Sequence, residues 1–161
     1  MGVRRHNNKP SDVHDNGKWW PMRMWMVPPE MLCSRHLLGE HKEIHMLEGT
    51  ILKGLSVDGY VENGLLEFKS LNSRHDRLVE EGKARGWKMG TDHLTPARYI
   101  DSDLVSEYVI ESEVDVLQSI ADLEVRPHKC QPHGSCKDRI VAWFRCHGDD
   151  ELEDNIGRTM Q

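Results

Sequence analysis

Residues 28–52 read PPEMLCSRHLLGEHKEIHMLEGTIL, and this stretch decides the fold. Pro28-Pro29 sets an extended turn, and a helix can start just after it, because proline is tolerated at a first turn. From Glu30 to about Leu52 there is no further proline, and most residues are good helix formers. Gly49 and Gly54 mark a fraying end. At 100° per residue, His36 and Glu43 fall within about 20° of each other, two turns apart, with Glu40 about 60° further round. Gly39 keeps that surface thin enough for another backbone to approach. His41 and His45 lie four apart on a different face. One carboxylate and one imidazole therefore share a face that could serve a cleft. A plain solvated face of an amphipathic helix carries the same pattern.

Working outward, Met22 to Val27 (MRMWMV) reads as a short apolar lead-in packed on a core. Residues 1–21 are rich in Asn, Asp, Gly, Lys and His and have no period. They read as a disordered extension, or as a stretch ahead of a true start at Met22. Downstream, Gly54 to Gly64 reads as a loop. A second helix is expected at Ser73–Arg85, with Ser73 and Asp76 as a capping box and Gly86 as its stop. Lys88 to Pro96 reads as a loop. Asp103 to Leu123 reads as a third helix burying Leu104, Tyr108, Val114, Leu117 and Ile120, although Val105, Val109 and Val116 also suit strands. Pro127 to Ser135 reads as a loop, Cys136 to Cys146 as a short helix, and 148–161 as an acidic flexible tail. The expected class is all-α: one compact few-helix domain over 22–147 with long irregular connections.

The 161 residues suit one modest core, and 37% hydrophobic residues is too apolar for a wholly disordered chain. No stretch approaches 18 consecutive apolar residues and no secretory signal is readable. The expectation is a cytoplasmic protein without a membrane partner, whose four cysteines are thiols or metal ligands. Net charge is −6, which argues against simple coating of nucleic acid. The charge is uneven: 101–125 holds eight acids and no Lys or Arg, while 69–98 holds seven bases against four acids. A polyanion site would have to use local basic surface with the acidic segment turned away.

Arg23, then His36-Leu37-Leu38-Gly39-Glu40-His41-Lys42-Glu43, resembles the opening of the phage pyrimidine-dimer DNA glycosylase/AP lyase family, the small UV-repair endonuclease V type. In that family an N-terminal residue is followed at once by Arg. Thirteen residues later comes a His, and seven beyond it the catalytic Glu; Arg23, His36 and Glu43 keep both offsets. Arg85-Gly86-Trp87 resembles the Arg-Gly-aromatic end of the family's next helix. Met46 and Lys42 stand where the family has arginines. The resemblance implies a monomeric DNA-repair enzyme of a bacterial or phage-infected cell, acting on damaged double-stranded DNA and needing no cofactor. It implies Met22 as the nucleophilic amine, Glu43 as the catalytic carboxylate, and Arg23, His36 and Lys42 as DNA contacts. An α-amine with pKa near 8 is roughly one-third neutral at about pH 7.5, against about 0.1% for a lysine, so it attacks a sugar C1′ without a special pocket. Met22 must then be the terminal residue of the working chain, because an internal amide is not nucleophilic.

Six Cys and His residues crowd into 128–147. Cys130, Cys136, Cys146 and His147 are candidate ligands for a structural zinc; reduced thiols and solvent histidines are the simpler reading. His41-x3-His45 also has a metal-ligand spacing, but HKEIH lacks the order of HExxH. Trp143-Phe144 beside Arg145 suits core packing or contact with bases, and Trp25 and Trp87 suit the core. The alternative to an enzyme is a non-catalytic, zinc-braced helical protein that binds a partner through its acidic segment.

Overall fold

The computed structural model describes residues 22–90, 93–124 and 136–147. The extensions expected at 1–21 and 148–161 lie outside the described residues. Within them the fold is all-α, with helices α1 (Ser34–Leu52), α2 (Asp58–Glu62), α3 (Leu71–Ala84), α4 (Glu107–Ile110), α5 (Val116–Glu124) and α6 (Cys136–His147). Single 3₁₀ turns at Pro29–Met31, Phe68–Ser70, Ala97–Tyr99 and Ser102–Leu104 shape the connections. No helix among the described residues is long and apolar enough to cross a membrane.

The long helix ends at Leu52 as expected but starts at Ser34 rather than just after Pro29, because Pro29–Met31 forms a separate 3₁₀ turn. Cys33 is its N-cap and accepts the His36 N–H on its sulfur. Leu37, Glu40, Ile44, Leu47, Glu48 and Ile51 make its buried stripe, at the three-and-four spacing of one helix face. Gly54, at φ 67°, ends it in the left-handed conformation that glycine adopts cheaply. Helix α3 buries Leu71, Arg74, His75, Leu78 and Gly82 and packs on α1. It runs back along α1: Arg74 meets Glu40, and Arg85 beyond its end donates to the Pro29 carbonyl at 3.1 Å.

The lead-in 22–27 is laid into the core, with Met24, Trp25 and Val27 almost fully buried. Met24 N–H donates to the Leu65 carbonyl at 2.8 Å. Trp25 N–H donates to Glu40 Oε1 at 2.7 Å. Arg74 donates through Nε and Nη2 to the two Glu40 oxygens, at 2.9 and 2.7 Å, and through Nη1 to the Val27 carbonyl at 2.6 Å. Both side chains of this ion pair are wholly buried. Desolvating two charges is costly, and the pair persists because hydrogen bonds saturate it.

Several expectations are corrected. The stretch 54–64 contains α2 rather than loop alone. Helix α3 starts two residues before Ser73, so the capping box does not form; Ser73 Oγ donates to the Ser70 carbonyl inside the first turn. The single helix expected at 103–123 is broken into a 3₁₀ turn, α4 and α5. Its buried face is Val105, Val109, Val114, Ser119 and Leu123, while Leu104, Tyr108 and Leu117 are exposed. Chain-turning contacts break the period: Phe68 N–H donates to Ser112 Oγ, and Asp115 N–H to the Gly64 carbonyl. Trp25 and Trp143 are core residues, and Trp87 is partly buried against the core.

Removing one partner of a buried ion pair strands the other charge, at a cost of about 3–5 kcal/mol. Glu40→Gln and Arg74→Met should each lower the unfolding free energy measured by urea titration by that much. A loss below about 1 kcal/mol in both would show the pair to be dispensable.

Candidate functional site

Glu43 sits one turn beyond Glu40 on α1, half-buried at the rim where Glu40 turns inward. Its Oε2 accepts the Arg23 N–H at 3.2 Å. The Met22 nitrogen is three covalent bonds from that amide, at most about 4.3 Å away. It therefore lies within about 7.5 Å of the carboxylate oxygen. The lead-in is held there by the Glu40 and Arg74 contacts at Trp25 and Val27, two and four residues beyond Arg23. The fold thus places the Met22 nitrogen within that distance of Glu43.

The other site candidates are placed differently. Arg23 has its guanidinium 4% exposed, stacked on the Trp25 ring at 4.1 Å. Its Nη1 donates to Asp122 Oδ2 at 2.5 Å and its Nη2 to Ser119 Oγ at 2.7 Å, so its charge ties α5 to the lead-in rather than facing solvent. Lys42 is exposed beside Glu43, on the solvent side of α1. His36, about 10 Å from Glu43 along the helix axis, turns its Nδ1 toward two sulfurs. That nitrogen lies 3.0 Å from Cys136 Sγ and 3.3 Å from Cys33 Sγ. The ring meets Trp25 edge-on at 5.4 Å.

The C-terminal zinc set is corrected by helix geometry. Cys136 and Cys146 stand ten residues apart on α6, about 15 Å along its axis, so they cannot share one ion. Cys146 is exposed while Cys136 is buried. Cys130 and the side chain of His147 lie outside what is described. Cys33 and His36 take their place beside Cys136, with donor atoms of all three within 4.8 Å. Cys33-x2-His36 was visible as a spacing at the head of α1, but its meeting with Cys136 spans 103 residues.

A third group was half visible. His41 and His45 share a face of α1, and His75 of α3 completes a triad of rings whose centroids lie 4.9 Å apart pairwise. His75 Nδ1 lies 3.1 Å from Asp76 Oδ1. The Nε2 atoms of His41 and His75 are buried without a hydrogen-bond partner among the described residues. Beside His75 opens a cleft of about 560 Å³ whose polar rim includes Lys69, Asn72, Asp76, His93 and Arg98. Lys69 is drawn to Glu111 at 2.7 Å, so the acidic segment comes against part of the basic one instead of turning wholly away.

Residues 22–95 match the family model described as pyrimidine dimer DNA glycosylase. Over that segment, which runs from Met22 through α3, the chain is similar to this family, whose description names pyrimidine dimers in DNA as what it acts on. No curated protein and no solved structure matches the chain.

The lowered titration of His41 predicts a fold that loses stability in acid. Burial, then the charges of His75 and His45, hold the His41 imidazole below its ordinary value of 6.5. Unfolding releases it to titrate normally, so its contribution is complete above about pH 6.5 and is lost as pH falls below that. Between about pH 6.5 and 5 the melting temperature of the wild type should fall more steeply than that of His41→Gln. Parallel curves would show that the triad does not couple to folding.

Proposed function

We infer, from the match of residues 22–95 to the pyrimidine dimer DNA glycosylase family, that the protein acts on dimerised pyrimidines in double-stranded DNA and then cleaves the abasic strand. The working chain begins at Met22, where the family match also begins. Bulky Arg23 next in line would keep Met22 in place as the terminal residue. Its neutral α-amine attacks C1′ of the damaged nucleotide, the C1′–base bond breaks, and the base leaves with the bonding electrons. The amine loses a proton, the C1′–O4′ bond breaks with its electron pair going to O4′, O4′ takes up a proton, and an iminium joins Met22 to the opened sugar. The Glu43 carboxylate stabilises that cation and then takes the C2′ proton, so that the 3′ phosphate departs by β-elimination. Lys42 is the exposed cation nearest Glu43 in sequence and suits a backbone phosphate.

The observation that carries this reading is the 3.2 Å hydrogen bond from the Arg23 amide to Glu43, one residue from the proposed nucleophile. Arg23 supports the arrangement from inside: tied to Asp122 and Ser119, it anchors the peptide that bears the amine. A lesion that distorts the duplex lowers the cost of extruding a nucleotide toward such a site.

Protein starting at Met22, incubated with UV-irradiated duplex and borohydride, should give a covalent adduct. The same protein with its α-amine acetylated should give none. Adduct formation by the chain with an intact Met1 terminus would refute the Met22 amine. Glu43→Gln should lower dimer cleavage at least about 100-fold, the usual scale for a general acid–base group. Cleavage should also rise with pH through about 8 as the amine loses its proton, and a flat profile from about 6.5 to 9 would contradict amine attack.

A further inference from the structure

We propose that Cys33, His36 and Cys136 form a zinc site that staples the head of α6 to the head of α1. The proposal does not depend on the repair chemistry, because these side chains are separate from Met22 and Glu43.

Two sulfurs and one imidazole nitrogen converge on one point: His36 Nδ1 lies 3.0 and 3.3 Å from the sulfurs of Cys136 and Cys33. Both cysteines are completely buried. Thiolate and imidazole together suit zinc, which takes them at about 2.3 and 2.0–2.1 Å in a tetrahedron. That geometry needs nitrogen–sulfur separations of roughly 3.6 Å, so an ion is admitted by an opening of about half an ångström, within reach of small side-chain rotations. Three protein donors leave the fourth position to water or one further donor.

The surroundings are those of metal-bound thiolates. Cys33 Sγ accepts the His36 amide at 3.4 Å, and Cys136 Sγ accepts the Cys33 amide at 3.3 Å. Such N–H···S bonds orient and stabilise ligating sulfur.

The ion would have a structural task. Helix α6 follows the stretch 125–135, and its described anchors are Ile140 and Trp143 in the core and an Arg139 bond to the Glu30 carbonyl at 3.2 Å. Coordination adds a crosslink between residues 103 apart in sequence. It also sets the histidine tautomer: metal on Nδ1 leaves the proton on Nε2, a fixed donor on a ring lying against Trp25.

Full-length protein made with zinc in the medium and purified without chelators should carry one zinc per chain by elemental mass spectrometry. Cys33→Ser and Cys136→Ser should each bring zinc to background, whereas Cys146→Ser and His75→Gln should retain it. Replacing zinc by cobalt in the wild type should give a sulfur-to-cobalt charge-transfer band with the strong visible bands of a tetrahedral ion. This reading holds even if the cysteine variants fail to fold. Metal-free wild type without a cobalt–sulfur band overturns the proposal. So does zinc that survives Cys33→Ser and departs with His75→Gln, or a stoichiometric Cys33–Cys136 disulfide in the freshly purified protein.

Discussion

The buried Glu40–Arg74 pair is the constraint on which the rest of the structure depends. One carboxylate and one guanidinium, both removed from water, close hydrogen bonds to each other, to the Trp25 amide and to the Val27 carbonyl. They therefore join α1, α3 and the lead-in at a single point. Neither charge can leave without stranding the other in the core. An extended segment with no sheet partner would otherwise expose or orphan its backbone polar groups. The pair satisfies two of them and fixes the register of the lead-in against α1. The contact between the Arg23 amide and Glu43 follows from that register.

Around this point the protein places several charges inside. Arg23, Arg74, Glu40, Glu48 and Glu67 are all buried or nearly so. Glu67 accepts from Ser70 Oγ and from the Val114 amide, and Glu48 from the Thr95 amide. Each carboxylate holds a connecting segment that has few apolar residues of its own. This accounts for a fold of long connections at a modest hydrophobic content, because charged side chains bridge segments that apolar packing alone would leave loose. It also means that formal net charge is a poor guide to the surface that meets a polyanion. Arg23 is not at that surface, whereas Lys42 and Arg98 are exposed.

Helical periodicity was most informative where a helix is long and amphipathic. For α1 the apolar spacing and the flanking prolines and glycines located the element within a few residues, and the Gly86 stop of α3 was equally legible (φ 82°). Periodicity failed over 103–123, where β-branched residues and non-local bonds from Gly64, Glu67 and Phe68 divide the chain into short pieces. It failed again at Ser73, because packing of Leu71 lets α3 begin earlier than its cap signal suggests.

The amino-acid order alone determined the all-α class, the long first helix, the proximity in angle of His36 and Glu43, and the family that 22–95 resembles. These depend on local spacing, which a single helix converts directly into direction. Only the tertiary structure decided that Glu40 and Arg23 turn inward, that His75 joins His41 and His45, and that Cys136 meets Cys33 and His36 instead of Cys146. Those outcomes depend on which helix packs against which, and at what register. Contacts between residues 34 or 103 apart leave no periodic trace in a single chain, because nothing in local backbone geometry relates their positions.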